Sequence, residues 1–302
     1  MFKCLSPAPL GLSASLNDVI EPALSNGFKG LELDIVAFQA QVAQLGLPGA
    51  RRLIDSAQLK LGYFRLPWEL ESPVEIYRPG LNTLKEQAQL AAELGCKRCL
   101  TSLAPANDER HMHQNFVFHQ ERLKAIAEIL EPHGIELGVG FRATADERGD
   151  HQFGFIDNFN SLQLLLGMVG AKNVGVVVDL FELWACGASW DDVAASRAKV
   201  VAVFLADVAT DASPEAAVQT MRLLPNETAT PDAAATIDSV APLAALAELK
   251  YDGPIVPRPH PDRFQGISRA AACKLAGEKL TEVYKAAGIG PVKRVPLAAT
   301  KK

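Results

Sequence analysis

The side chains best placed for chemistry stand at the C-terminal ends of predicted strands. Asp179 closes an apolar run that begins at Val174, and sequence typical of a helix follows it at once. A carboxylate at such a position lies where parallel α/β barrels keep their catalytic groups. Glu182 follows three residues later, so we expect these two carboxylates to be the candidates for acid–base catalysis. The structural alternative is an N-cap at Asp179 and a first-turn acid at Glu182.

The neighbouring predicted strand ends are poor in metal ligands and rich in positive charge. They carry Gly140, Phe204 and Arg258, none of which is a typical ligand of a divalent cation. Arg142 and His260 lie within two residues of these ends. The guanidinium group of arginine presents a planar fork to carboxylate or phosphate. We therefore expect either an ion-pair network with the two carboxylates or a pocket for an anion.

Eight β-rich runs, each followed by helical sequence, must position these residues. This alternation predicts the α/β class and a single (β/α)8 TIM barrel over residues 1–288, followed by a flexible basic C-terminal tail at 289–302. A doubly wound sheet is disfavoured because no G-x-G-x-x-G follows the first strand. The predicted strands are 2–5, 29–35, 59–66, 98–103, 135–141, 174–179, 200–206 and 255–256, and the main predicted helices are 15–25, 37–57, 81–94, 114–130, 158–169, 241–249 and 268–286.

The composition of the chain argues against some classes of binding partner. The chain has 302 residues, 48% of them hydrophobic, and a formal net charge of −5, which argues against a nucleic acid partner. No apolar stretch is long enough to span a membrane, and no signal peptide is recognised, so we expect no membrane partner. The five cysteines are scattered in apolar contexts typical of reduced thiols, which indicates a cytoplasmic protein. The sequence leaves open whether the chain forms a homo-oligomer.

We expect structural rather than metal-binding roles for one pair of cysteines and one group of histidines. The spacing of Cys96 and Cys99 is that of half a zinc site or a redox pair, but no second pair accompanies it. His111, His113 and His119 lie where a loop enters a helix, beside charged residues typical of a solvated loop. We expect neither cluster to bind a metal.

Several short segments carry a family resemblance in their order and spacing. They are KCLSP at 3–7, GFKGLELD at 27–34, QNF at 114–116, NVG at 173–175 and YDGP at 251–254. From about residue 3 to 286 the chain resembles the sugar phosphate isomerase/epimerase family, the xylose isomerase-like TIM barrels. The resemblance implies a divalent cation, held by Glu, Asp, His and Glu on strands five to eight, that assists proton transfer next to a sugar carbonyl.

Carried over residue by residue, this implied ligand set is mostly lost. The ligand positions fall on Gly140, Asp179, Phe204 and Arg258, and the histidine expected three residues after the aspartate is Glu182. One carboxylate beside an arginine cannot hold a cation tightly. We therefore expect no metal site and no cofactor; Mn, Mg, Co or Zn would be expected only if other residues rebuild the site.

Arg222 lies in a segment, MRLLP at 221–225, that resembles the family's long loop after strand seven. The sequence that follows, from Asn226 to Thr236, departs from the family's glycine-rich pattern. This segment is either a lid with altered substrate contacts or a tolerated surface loop.

Two functions remain open at this stage. One is a relative that has lost its metal site and binds a small-molecule carbohydrate, sugar acid or sugar phosphate through Arg142, Arg222, Arg258 and His260. The alternative is an active, divergent sugar isomerase or epimerase in which Asp179 and Glu182 provide acid–base chemistry.

Overall fold

Eight parallel strands close into a barrel in chain order. The computed structural model describes residues 1–12, 16–230 and 233–290. The predicted TIM barrel is confirmed, and each strand lies within two residues of its predicted bounds. The strands are β1 (Phe2–Leu5), β2 (Gly30–Leu33), β3 (Lys60–Arg65), β4 (Arg98–Ser102), β5 (Glu136–Gly140), β6 (Val174–Asp179), β7 (Val200–Leu205) and β8 (Pro254–Pro257).

Helices follow the strands and cover the outside of the barrel. They are α1 (Leu16–Ser25), α2 (Ile35–Ala57), α3 (Val74–Glu93), α4 (Met112–Leu130), α5 (Ala145–Arg148), α6 (Phe159–Val169), α7 (Leu180–Ala185), α8 (Trp190–Ser196), α9 (Val240–Glu248) and α10 (Arg269–Ala286). Local sequence sets several of these bounds. The Asn158 side chain caps α6 by accepting from the Ser161 N–H at 3.0 Å, and Gly170 ends that helix with a left-handed φ of 64°.

Some elements differ from the sequence prediction. Helix α3 begins at Val74, seven residues before the predicted start, and continues through Pro79. Helix α2 is interrupted at Gly46, whose φ is 69°. The short helix α8 and an antiparallel pair of two-residue strands, Ala106–Asn107 and Phe153–Gly154, were not predicted.

The barrel interior is filled by side chains. Its cluster is separate from the larger apolar layer between strands and helices, and consists of Phe2, Cys4, Tyr63, Leu100, Val177, Val201, Ala202, Phe204 and Val256. Tyr63 and Phe204 contact each other with ring centroids 5.9 Å apart. These two rings form the floor of the barrel mouth, beneath the charged residues at the C-terminal ends of the strands.

The remaining sequence predictions concern the membrane, the cysteines and the tail. No helix within the described residues is long and apolar enough to cross a membrane. Four cysteines are buried and Cys186 is half-buried, all as free thiols. The predicted tail lies mostly outside the described residues, which end at 290. The division into one domain and a tail stays a prediction.

Candidate active site at the barrel mouth

Asp179 stands at the end of β6 and is 6% exposed. One carboxylate oxygen, Oδ1, accepts from the Phe181 N–H at 3.1 Å and so caps α7. The same oxygen accepts from Nη1 of Arg222 at 3.0 Å, and Oδ2 accepts from Nη1 of Arg258 at 2.7 Å. Asp179 is therefore both a helix cap and the partner of two arginines.

Glu182 lies one turn into α7 and is 1% exposed. Its Oε1 accepts from Nη2 of Arg222 at 2.6 Å and from Nε2 of Gln219 at 2.8 Å. Its Oε2 accepts from the backbone N–H of Ala143 at 2.7 Å. A buried carboxylate needs such partners, and Glu182 obtains them from two segments of the chain, the loop after β7 and the residues that follow β5.

Arg222 connects the two carboxylates from the loop that follows β7. Its side chain is 2% exposed and lies with the guanidinium carbon 4.2 Å from the centroid of the Phe181 ring. Besides the ion pairs with Asp179 and Glu182, its Nε donates to Oε1 of Gln219 at 2.7 Å. All three guanidinium nitrogens are thus engaged, and the positive charge sits directly between the two buried negative charges.

The charges around Asp179 favour the ionised form of its carboxylate. Burial alone would raise the pKa of Asp179, but the Arg222 and Arg258 guanidinium groups outweigh it and hold that pKa below its usual range. Burial would likewise lower the pKa of Arg222, and the two carboxylates raise it instead. At neutral pH Asp179 and Arg222 are therefore both charged.

The residues at the implied metal position do not fit a divalent cation. The Cα pairing places Asp179 of β6 beside Phe204 of β7, and Arg258 follows β8 directly. Gly140, at the end of β5, contributes no ligand. Within residues 1–12, 16–230 and 233–290, no three His, Cys, Asp or Glu side chains are grouped so that they could hold a metal ion. A cation at Asp179 would also meet the Arg222 guanidinium, which lies between that carboxylate and the carboxylate of Glu182.

Arg258 faces the open side of the mouth. Its side chain is 32% exposed, and its guanidinium carbon lies 5.2 Å from the centroid of Phe204. The pKa of Arg258 is lowered mainly by burial and, to a smaller extent, by the positive charge of the neighbouring Arg222. The single ion pair with Asp179 therefore does not fully compensate its charge.

A second ion pair, which sequence reasoning missed, lies across the mouth on β2 and β3. Nε of Arg65 donates to Oε1 of Glu32 at 2.7 Å, and its guanidinium carbon lies 5.8 Å from the same Phe204 ring. Oε2 of Glu32 accepts from the Tyr63 hydroxyl at 2.9 Å and also from the hydroxyl of Ser6. The signal that could have revealed this pair was Glu32 between two leucines of β2, together with Arg65 at the C-terminal end of β3.

A cavity of about 220 Å³ opens beside this second pair. Glu32 and Arg65 contribute its polar wall together with Asp34, and the rest of its lining is Pro7, Ala8, Leu33, Ile35, Val36, Leu66 and Pro67. A mostly apolar cavity with a few convergent polar groups is typical of a small-molecule site.

Two predicted binding residues lie away from Asp179. Arg142 pairs instead with Glu147 at 2.8 Å, and it lines a separate cavity of about 420 Å³. The His260 ring accepts from the Asp262 N–H at 3.3 Å, while its backbone N–H donates to the carbonyl oxygen of Arg222 at 3.1 Å. His260 therefore supports the position of Arg222 through the backbone.

The histidine cluster has structural contacts. His111 caps α4, and the His119 ring lies between the carbonyl oxygen of Asn115 at 2.9 Å and the Glu71 carboxylate at 3.0 Å. The Cys96 thiol contacts the carbonyl oxygen of Arg98 at 3.8 Å, and both it and Cys99 are fully buried. These contacts give His111, His119 and Cys96 structural partners; the expectation that neither cluster binds a metal stays a prediction.

Residues 20–280 match the family of xylose isomerase-like TIM barrels, and the chain belongs to that family. None of the curated proteins matches the chain.

Solved structures share the fold at low sequence identity. A xylose isomerase domain protein from Alicyclobacillus acidocaldarius subsp. acidocaldarius is 24% identical, with a TM-score of 0.82 over 95% of this chain and 99% of that one. The IOLI protein with a bound zinc atom is 16% identical, with a TM-score of 0.74 over 94% and 99%. D-psicose 3-epimerase, solved with D-fructose, is 14% identical, with a TM-score of 0.69 over 95% and 100%.

Proposed function

We propose that this protein is a metal-independent member of its family that binds an anionic sugar, a sugar acid or sugar phosphate, at the barrel mouth. The observation that carries the proposal is the position of Arg222, which forms ion pairs of 3.0 Å with Asp179 and 2.6 Å with Glu182. A divalent cation could use these carboxylates only if the buried guanidinium were displaced. Displacement would leave a buried charge without partners, which is strongly unfavourable.

Arg258 is the proposed contact to the anionic group of the ligand. Of the four basic residues predicted to bind substrate, it is the one that combines partial exposure at the mouth with an incompletely compensated charge. Arg222 holds the two carboxylates and His260 supports it, so we assign both a positioning role. Arg142 stays a candidate for the outer rim of the site. The epimerase and the other sugar-related neighbours support a carbohydrate ligand.

The alternative of acid–base catalysis by Asp179 and Glu182 has less support. Both carboxylates are buried and held by arginine, and the pKa of Asp179 lies below its usual range. A general base works best when its pKa is close to the working pH and when it reaches the substrate. We therefore propose binding rather than isomerisation as the activity of this site, in a cytoplasmic protein without nucleic acid or membrane partners.

Ligand binding by purified protein tests this function. Gluconate, glucuronate and glucose 6-phosphate would be compared with uncharged glucose by thermal shift and calorimetric titration. We expect at least one of the three anions to raise the melting temperature in proportion to its concentration, while glucose does not. The effect should be lost in Arg258→Gln and kept in Arg51→Gln, which removes an exposed arginine of α2.

A ligand response that persists in Arg258→Gln, or stabilisation by glucose equal to that by the anions, would contradict the proposal. Because Arg258→Gln also removes an ion pair from Asp179, the melting temperature of each variant without ligand is measured first. Arg258→Lys then separates the need for charge from the need for the planar fork.

A further inference from the structure

Two arginines converge over one aromatic ring at the barrel mouth. The guanidinium carbons of Arg258 and Arg65 lie 5.2 Å and 5.8 Å from the centroid of Phe204. Among the described residues, the hydrogen bonds of each guanidinium use a single nitrogen, Nη1 of Arg258 toward Asp179 and Nε of Arg65 toward Glu32. Most N–H groups of both side chains are therefore available to a ligand, and an anion at the mouth can be held from both sides.

Glu32 supplies an acceptor next to these donors. Its carboxylate has about four lone-pair positions, of which Arg65, Tyr63 and Ser6 occupy three. Oε1 carries a single hydrogen bond, the side chain is 15% exposed, and it lines the cavity of about 220 Å³. The fourth lone-pair position of Glu32 can accept a hydrogen bond from a donor on the ligand, such as a hydroxyl group. The ligand's own ionised carboxylate has no hydrogen to donate and cannot bind there.

The charge balance limits the charge of the ligand. Arg65, Arg222 and Arg258 carry three positive charges, and their ion-pair partners Glu32, Asp179 and Glu182 carry three negative ones. A carboxylate adds one negative charge to this neutral cluster. A phosphate monoester adds about 1.5 to 2 negative charges at pH 7, so the occupied cluster would carry a larger net negative charge within a chain that is already acidic.

We propose that the mouth binds a polyhydroxy monocarboxylate, the class of the aldonic acids, in preference to a sugar phosphate. The carboxylate contacts Arg258 and Arg65, a neighbouring hydroxyl donates to Glu32, and the carbon chain enters the cavity between β1, β2 and β3. This inference rests on the proposed function, because it specifies the anion that Arg258 binds. Arg65 and Glu32 become the residues that determine ligand class.

Calorimetric titration of the full chain with four probes tests this inference. The probes are gluconate, glucose 6-phosphate, hexanoate and glucose, which vary the anion and the hydroxyl groups separately. We expect gluconate to bind about tenfold or more tightly than each of the other three. Equal or tighter binding of glucose 6-phosphate overturns the assigned ligand class, although the proposed function would stand. If no anion binds, both proposals fail.

Variants of Glu32 and Arg65 test which part of the ligand each side chain contacts. Glu32→Gln should weaken gluconate binding about tenfold relative to hexanoate binding. The loss of one negative charge acts on both anions alike, whereas only gluconate has a hydroxyl next to its carboxylate that loses its acceptor. Arg65→Gln should weaken both ligands, and Arg65→Lys should recover part of the affinity. The matched control, Arg51→Gln, removes an arginine from the exposed ion pair with Asp55 and should bind gluconate like the wild type. An equal loss for gluconate and hexanoate in Glu32→Gln overturns the role of Glu32.

Discussion

At the scale of single residues, Arg222 is the shared ion-pair partner of two buried carboxylates. Its guanidinium lies against Phe181 and donates to both Asp179 and Glu182, so one side chain neutralises two buried carboxylates with the help of Arg258. The sequence indicated a missing metal site and a role for arginine. It named Arg142 and Arg258 as possible partners of the carboxylates, and Arg258 does pair with Asp179. It did not indicate Arg222 as a partner, because Arg222 is separated from Asp179 by more than 40 residues and reaches it through a loop.

Replacing Arg222 by methionine should destabilise the protein strongly. The substitution keeps much of the side-chain volume but leaves Glu182 without its ion pair and Asp179 with Arg258 alone. Breaking a buried ion pair on one side costs about 3–5 kcal/mol, so chemical denaturation should report a loss of that order in the free energy of unfolding. The control, Arg51→Met, should change that free energy little. A loss in Arg222→Met no larger than in the control would contradict the network.

At the scale of elements, the loop after β7 is fixed by one buried carboxylate. Asp207 accepts from the N–H groups of Val208 and Ile237 through Oδ1, and from the N–H and hydroxyl groups of Thr228 through Oδ2. The fully buried Asp207 also pairs through its backbone with Leu223, next to Arg222. The loop that carries the central arginine therefore depends on this side chain.

Replacing Asp207 by alanine should loosen that loop without unfolding the barrel. We expect faster amide hydrogen exchange at residues 219–230, where Thr228 and the neighbouring turns lose their anchor, and unchanged exchange in β1 to β5. The measurement is hydrogen exchange followed by mass spectrometry. Thr236→Val serves as a milder control, since its hydroxyl contacts only the Thr228 hydroxyl in this network. Unchanged protection of 219–230 in Asp207→Ala would contradict the anchoring role.

The spacing of apolar residues and the positions of glycine and proline account for most of the predicted strands and helices. Strands such as β6 are continuous apolar runs, and helices such as α6 end at glycines that adopt left-handed φ values. The start of α3 was missed because Pro79 and Gly80 read as a break. Pro79 is the sixth residue of the helix, beyond its first turn, so the helix continues through it although the proline removes one i→i−4 hydrogen bond. The ion pair of Glu32 and Arg65 was missed, although the predicted barrel already makes β2 and β3 neighbours, because the sequence does not show that the two side chains point to the same end of the barrel.

At the scale of the whole molecule, closure of the barrel concentrates opposite charges at one end. The chain is acidic overall, whereas its mouth contains three arginines paired with three carboxylates above the Tyr63 and Phe204 rings. Stability should therefore depend on pH through these carboxylates.

Acid should destabilise the protein progressively. Burial would raise the pKa values of Asp179 and Glu32, but the arginines hold both below their usual range. A folded-state pKa below the unfolded value means that this stabilisation is fully present above the unfolded pKa of about 4 and is lost as pH falls through the folded pKa. The melting temperature should stay nearly constant from pH 8 to about 5 and then decrease. Asp179→Asn should reduce the slope of that decrease; an unchanged slope would contradict the assignment.

The most direct test of the central claim is the metal content of the purified protein. After incubation with Mn²⁺, Mg²⁺, Co²⁺ or Zn²⁺ and removal of excess metal, elemental analysis would compare the wild type with Asp179→Asn. If Arg222 has taken the place of the cation, we expect metal contents that do not differ between the two proteins and no change of melting temperature with chelator. One metal ion per chain in the wild type, lost in Asp179→Asn, would contradict this account.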